Sequence, residues 1–361
     1  MLRRFPAAGV PAAFLVWSVL FAPPASMADE TTALGKLAAS LEPGEWGELQ
    51  TENLDLKVFS DGGHHALQYT DEAVWNPITR EFVFSGQGHG GGNRFVKYSE
   101  ATNRWTRLEI PAEYDAERRS GWGFVHAYDH QALDPATGTY FRACYGRTDI
   151  RAWDKDGNWR LVTDIPDRLR VKGHITRGFE YFPDMNGLVV FLSGDGLHLY
   201  DLEKKEWRTL ADKLGTYAYH EIARYNPVHK VVVFGGGNDS QGYSSKNLWK
   251  LDAEGNVKPL EDAPFTVGVT HTIFTVDPIS GKYLVFNRRG EFFEYDVTAD
   301  EWKKLTEDKP PLATVGSDLR ASAIFGGVAA PVGTHGVVMF VKYGGDDSKV
   351  LVYRHSASPA K

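Results

Sequence analysis

Short apolar runs separated by turn signals recur along the chain, and each run has the length and β-branched or aromatic content of a strand rather than a helix. Two patterns repeat. In the first, an aromatic or apolar residue is followed six or seven places later by tryptophan, as in FVKYSEATNRWTRL (95–108), IRAWDKDGNWRLV (150–162), LHLYDLEKKEWRTL (197–210) and FFEYDVTADEWKKL (292–305). LWKLDAEGNVKPL (248–260) is a weaker copy with Val257 in the tryptophan place. In the second, a turn precedes an apolar strand, as in WNPITREFVFSG (75–86), LDPATGTYFRAC (133–144), YFPDMNGLVVFLSG (181–194), YNPVHKVVVFGGG (225–237) and VDPISGKYLVFN (276–287), with a looser copy in APVGTHGVVMFVKYGG (330–345). Proline restricts the residue before it, and Asx-Pro starts turns, so each of these predicts a hairpin.

Together the patterns give strand a, tight turn, strand b, longer loop, strand c, turn and strand d, in 44–58 residues per repeat. Repeated antiparallel four-strand units of this size predict the blades of a β-propeller. A sixth copy begins at VLVY (350–353) but has no tryptophan after it, and the missing half stands at the other end as GEWGEL (44–49). A repeat split between the two ends predicts a closed all-β ring of six blades, the last completed by an N-terminal strand d; seven blades is the alternative count.

Composition sets the context. Arg3 and Arg4, the apolar stretch Ala13 to Ala22 and the small residues Ser26-Met27-Ala28 read as an export signal over 1–28, too short to remain as a membrane anchor. The expected organisation is then a signal peptide (1–28), an N-terminal arm (29–43) that forms a short helix or an extended segment, and one propeller domain (44–361) in a secreted or periplasmic monomer. The mature chain keeps 38 Lys and Arg against 47 Asp and Glu, a net charge of about −9, which argues against a nucleic-acid partner. One cysteine, Cys144, excludes an internal disulfide, so the ring must be held by its core.

The glycine run FGGGN (234–238), the aromatic residue of each strand c and the tryptophan of each strand d resemble the kelch-repeat family over roughly residues 44–356. The resemblance implies the propeller fold. It leaves the activity open, because kelch propellers include binding scaffolds, sugar oxidases, epimerases and lyases.

In a propeller, strand a lines the central channel, and the d–a and b–c loops share one face. Reading the start of each strand a gives His64 and His65, His126, His174, His220, His271 and then Arg320, with successive separations from His65 of 61, 48, 46, 51 and 49 residues. His130 follows on the same strand as His126. The neighbouring b–c loops and strand starts add His89, Asn93, Trp122, Arg147, Arg177, Tyr217, Tyr219, Asn238, Tyr243 and Arg288. Basic residues at the mouth of an acidic protein would focus an anionic ligand, and the aromatic faces suit stacking on sugars. No GxSxG elbow or paired-carboxylate arrangement appears.

The expected function is β-elimination on a uronate-containing polysaccharide or oligosaccharide. That reaction needs a cation against the carboxylate, a base for the acidic C5 proton and an acid for the leaving oxygen. Arg177 or Arg320 fits the first role, His126 or His174 the second, and Tyr219 or His220 the third. His64, His65, His89, Asn93, Trp122, His130, Arg147, Tyr217, Asn238, Tyr243 and Arg288 would contact substrate. His174, His220 and His271 on adjacent blades are the candidate ligands of a divalent metal, zinc, manganese or calcium. Propeller lyases acting on oligogalacturonates or ulvan are similar in kind. The alternative is a non-catalytic module that holds an anionic glycan or a protein.

Overall fold

The structure is a computed structural model, and it describes residues 30–54, 67, 70, 72–86, 94–110, 128–143, 148–169, 176–192, 196–212, 214, 220–238, 244–316 and 323–357. These residues form six four-stranded antiparallel sheets, each running a-b-c-d outward from the centre. Blade one holds Val74–Asn76, Glu81–Gly86, Arg94–Ser99 and Arg104–Leu108, blade two Gln131–Asp134, Thr139–Ala143, Asp149–Trp153 and Trp159–Asp164, and blade three Thr176–Phe182, Gly187–Leu192, Gly196–Asp201 and Glu206–Ala211. Blade four holds Glu221–Asn226, Val231–Gly236, Leu248–Asp252 and Val257–Pro259, and blade five Thr272–Val276, Tyr283–Asn287, Phe292–Asp296 and Glu301–Lys304. Blade six takes Gly327–Val332, Val337–Lys342 and Lys349–Tyr353 from the end of the chain and Trp46–Glu48 from its start. The ring therefore closes as the split repeat predicts, with six blades.

The aromatic-to-tryptophan spacing has a geometric cause. In every blade the two residues face each other across the c–d hairpin: Tyr98 and Trp105, Trp153 and Trp159, Tyr200 and Trp207, Leu251 and Val257, Tyr295 and Trp302, Tyr353 and Trp46. Directly opposed side chains on one face of an antiparallel pair are close enough to stack. Trp46 stacks on Tyr353 with ring centroids 4.5 Å apart and also meets Phe286 and Phe292 of blade five at 5.8 and 5.7 Å. Trp159 reaches Phe95 of blade one at 5.4 Å, and the Trp207 indole donates to the Asp164 carbonyl of blade two at 3.1 Å. Trp46, Trp159 and Trp207 thus glue blades six, two and three to the blade before each.

The a–b turns on the opposite face are latched as well. Asn76 accepts from the backbone of Ile78 and Thr79 in an Asx turn, and its amide donates to the Gly138 carbonyl of blade two at 3.0 Å. Asn226 repeats the device from blade four to the Gly281 carbonyl of blade five at 2.6 Å. The N-terminal arm forms the one α-helix among the described residues, Ala33–Ser40. Thr32 caps it and also donates to the buried Glu100, while Leu34 and Ala38 join the core shared by blades one and six. The helix therefore covers the seam where the ring closes.

Candidate functional site

His220 and His271 stand immediately before strand a of blades four and five, and Asn238 lies just beyond strand b of blade four. All three belong to the face carrying the d–a and b–c loops. The glycines of this region let the loops approach. A Cβ on Gly268 would lie 2.6 Å from the His220 carbonyl, and one on Gly236 would lie 2.6 Å from the Val267 carbonyl. With those side chains absent, Val269 donates to the His220 carbonyl at 2.8 Å and Gly237 to the Val267 carbonyl at 2.7 Å. The glycine run of blade four thus brings Asn238 against blade five.

Asn238 Oδ1 lies 3.1 Å from His220 Nδ1 and 3.4 Å from His271 Nε2. The two imidazole centroids are 6.4 Å apart. Both rings and the amide are half-buried. The ring of Tyr128, at the start of strand a of blade two, packs on His220 at 5.1 Å and on the fully buried His130 at 5.6 Å. Tyr128, His220 and Thr270 all have positive φ, at 43°, 77° and 72°. Side chains other than glycine rarely adopt this conformation, and it clusters where the surrounding structure enforces it.

The channel below this face is occupied. Arg224 of blade four, four residues into the strand from His220 and so roughly 13 Å deeper, extends across the axis. Its guanidinium pairs with Asp129 of blade two and with Glu72 of blade one at 3.1 Å, and its Nε donates to the Phe274 carbonyl of blade five at 2.8 Å. Asp129 in turn accepts from the Ala223 backbone at 2.6 Å, and Glu180 of blade three accepts from Tyr225 at 2.8 Å and Tyr181 at 2.9 Å. One arginine therefore ties four blades together at the centre.

Burial pushes the carboxyl of Glu180 up to about 7, and that of Asp129 up to about 6 against the pull of Arg224. Below the ordinary carboxyl range both groups are protonated whether folded or not. Above that range the folded protein retains protons that the unfolded chain releases, so stability falls as pH rises toward 7. The thermal midpoint should accordingly decline between about pH 4 and pH 7. Glu180→Gln should flatten that decline; an equal slope in the variant would place the effect elsewhere.

Of the remaining candidates, Arg288 is exposed, and its carbonyl accepts from Ala323 near the start of strand a of blade six. His64, His65, His89, Asn93, Trp122, His126, Arg147, His174, Tyr217, Tyr219, Tyr243 and Arg320 lie outside the described residues, as does the side chain of Arg177. Tyr128 and Lys342 are additions that sequence reading passed over. Lys342 ends strand b of blade six, is fully buried, and donates to the Phe325 carbonyl at 2.5 Å; burial pulls its ammonium down to about 8. The signal was available, since VKYGG (341–345) puts a lysine where blade four has glycine in VFGGG.

No known protein family and no curated protein matches the chain. Solved structures do share its fold. A Bacteroides thetaiotaomicron protein of unknown function is 10% identical with a TM-score of 0.54, covering 87% of this chain and 73% of its own. A streptogramin B lyase is 11% identical with a TM-score of 0.52, covering 85% and 97%. An oligogalacturonate lyase in complex with manganese is 12% identical with a TM-score of 0.48, covering 86% and 98%. The class these findings define is the six-bladed, all-β propeller. At such identities the likeness speaks to fold alone.

Proposed function

We propose that this protein is an exported, kelch-type propeller lyase that cleaves a uronate-containing acidic polysaccharide by β-elimination at the channel mouth. The observation that carries the reading is the convergence of His220 and His271, from adjacent blades, on the amide oxygen of Asn238. Titratable imidazoles held side by side, above a channel occupied by Arg224, are suited to proton transfer on a ligand entering from that face.

In the reaction, a base removes the proton on C5 of the uronate. The electron pair forms the C4–C5 double bond, the C4–O bond breaks, and the departing oxygen takes a proton. The ring supplies His126 or His174 for abstraction and Tyr219 or His220 for donation, with Arg177 or Arg320 against the carboxylate. Arg288, exposed on the same face, extends the anionic subsite.

As they stand, His220 and His271 do not fit one tetrahedral ion such as zinc. Two imidazoles on one tetrahedral ion, with metal–nitrogen bonds near 2.1 Å, place their centroids roughly 5 Å apart, whereas those of His220 and His271 are 6.4 Å apart. Among the described residues no group of three His, Cys, Asp or Glu side chains could hold an ion. His174 lies outside them, and the proposed steps use the chain's own side chains. Elemental analysis of the purified protein reads metal content directly.

His220→Ala should lower turnover by roughly 10²–10⁴-fold while leaving substrate affinity within a few-fold. Graded losses of affinity, with no turnover in the unaltered protein, would instead mark a module that only binds an anionic glycan.

A further inference from the structure

We propose that Asn238 is a positioning residue that fixes opposite tautomers on the two neighbouring imidazoles: the Nδ1–H form on His220 and the Nε2–H form on His271.

An amide oxygen only accepts, and its two lone pairs allow it to accept twice. His220 meets it with Nδ1 at 3.1 Å and His271 with Nε2 at 3.4 Å. Each of those nitrogens must carry a proton for the bond to exist. A neutral imidazole has one proton, so the hydrogen bond made by one nitrogen settles the state of the other. The lone pair then resides on Nε2 of His220 and on Nδ1 of His271. The backbone makes the arrangement specific. His220 is held at φ 77° by the bond from Val269 to its carbonyl, and the Tyr128 ring lies against its imidazole.

The consequence deepens the proposed elimination and, as a catalytic role, rests on it. With its Nδ1 proton committed to Asn238, neutral His220 has only a lone pair to offer at Nε2. In that state it can take a proton, and it becomes a donor at Nε2 only after protonation. Asn238, which the sequence pattern assigns to substrate contact, acts in this role through the imidazoles. His271 presents the opposite nitrogen, so the two rings are not interchangeable.

Nitrogen NMR of the full chain labelled at histidine tests this without requiring a substrate. Of the twelve histidines, His220 and His271 are assigned by the signals lost in His220→Gln and His271→Gln. Above the ordinary histidine range, about pH 8, the unaltered protein should show His220 protonated at Nδ1 and His271 at Nε2. Asn238→Ala should release His220 toward the Nε2–H form. Asn238→Asp should keep both tautomers, since a carboxylate oxygen accepts from the same two nitrogens. An Nε2–H tautomer on His220 in the unaltered protein overturns the proposal, and so does an unchanged His220 spectrum in Asn238→Ala. If Asn238→Ala does not fold, the unaltered protein and Asn238→Asp decide. On a cleaved substrate, Asn238→Ala should reduce kcat with KM within about two-fold. Absence of cleavage would remove the lyase reading and leave the tautomer result standing.

Discussion

Arg224→Ala should destabilise the protein by about 3–5 kcal/mol, more than other single substitutions in the channel. The variant removes the partner that Asp129 and Glu72 share in a site where Asp129 is 0% and Glu72 4% exposed. Leaving a buried charge unpaired costs this much, because water cannot replace the lost contact. The loss of the Nε bond to the Phe274 carbonyl adds to it. Arg224→Ala combined with Asp129→Asn and Glu72→Gln should recover most of the deficit, since a buried ion pair contributes less to stability than its broken half costs. Urea titration of the single and triple variants measures both. A single variant within about 1 kcal/mol of the unaltered protein would mean that the channel tolerates open charge and that Arg224 does not hold the blades.

Trp46→Ala should cost about 3–5 kcal/mol, the range for deleting a large aromatic side chain from a core. The side chain stacks on Tyr353 and reaches Phe340 at 5.2 Å as well as the blade-five phenylalanines. The effect is on closure as well as packing. Without Trp46 the three-residue strand Trp46–Glu48 keeps its backbone pairing to Lys349–Tyr353 but loses its anchor. A strand exposed at the edge of a sheet invites association with another chain. The variant should therefore unfold at a temperature lower by roughly 10 °C and aggregate on heating. Tyr353→Ala should behave alike. A Trp46→Ala protein with an unchanged midpoint would show that the ring does not depend on its N-terminal strand.

The ring and the nearness of His220 to His271 were legible in the sequence for a local reason. Facing residues of a short c–d hairpin keep a constant separation, so Tyr98 and Trp105, or Tyr295 and Trp302, announce their blade without knowledge of the rest. Counting repeats then makes His220 and His271 neighbours, and their imidazoles meet at Asn238. The channel interior was not legible. Arg224, Glu180 and Asp129 sit among ordinary strand residues, and Arg224 reaches Asp129 across the axis, a contact between residues 95 positions apart. Tyr128 escaped notice because nothing in the sequence shows that its ring packs on His220 of blade four. The contact of Asn238 with both imidazoles was not legible, because a loop asparagine gives no sign of which way its oxygen turns.

The most direct test of the central claim is incubation of the protein with a panel of uronate-containing polysaccharides while the ultraviolet absorbance of the unsaturated product is followed. The account predicts a steady rise on at least one member of the panel, reduced by two or more orders of magnitude in His220→Ala. Tight binding to one polysaccharide with no rise on any of them would contradict it.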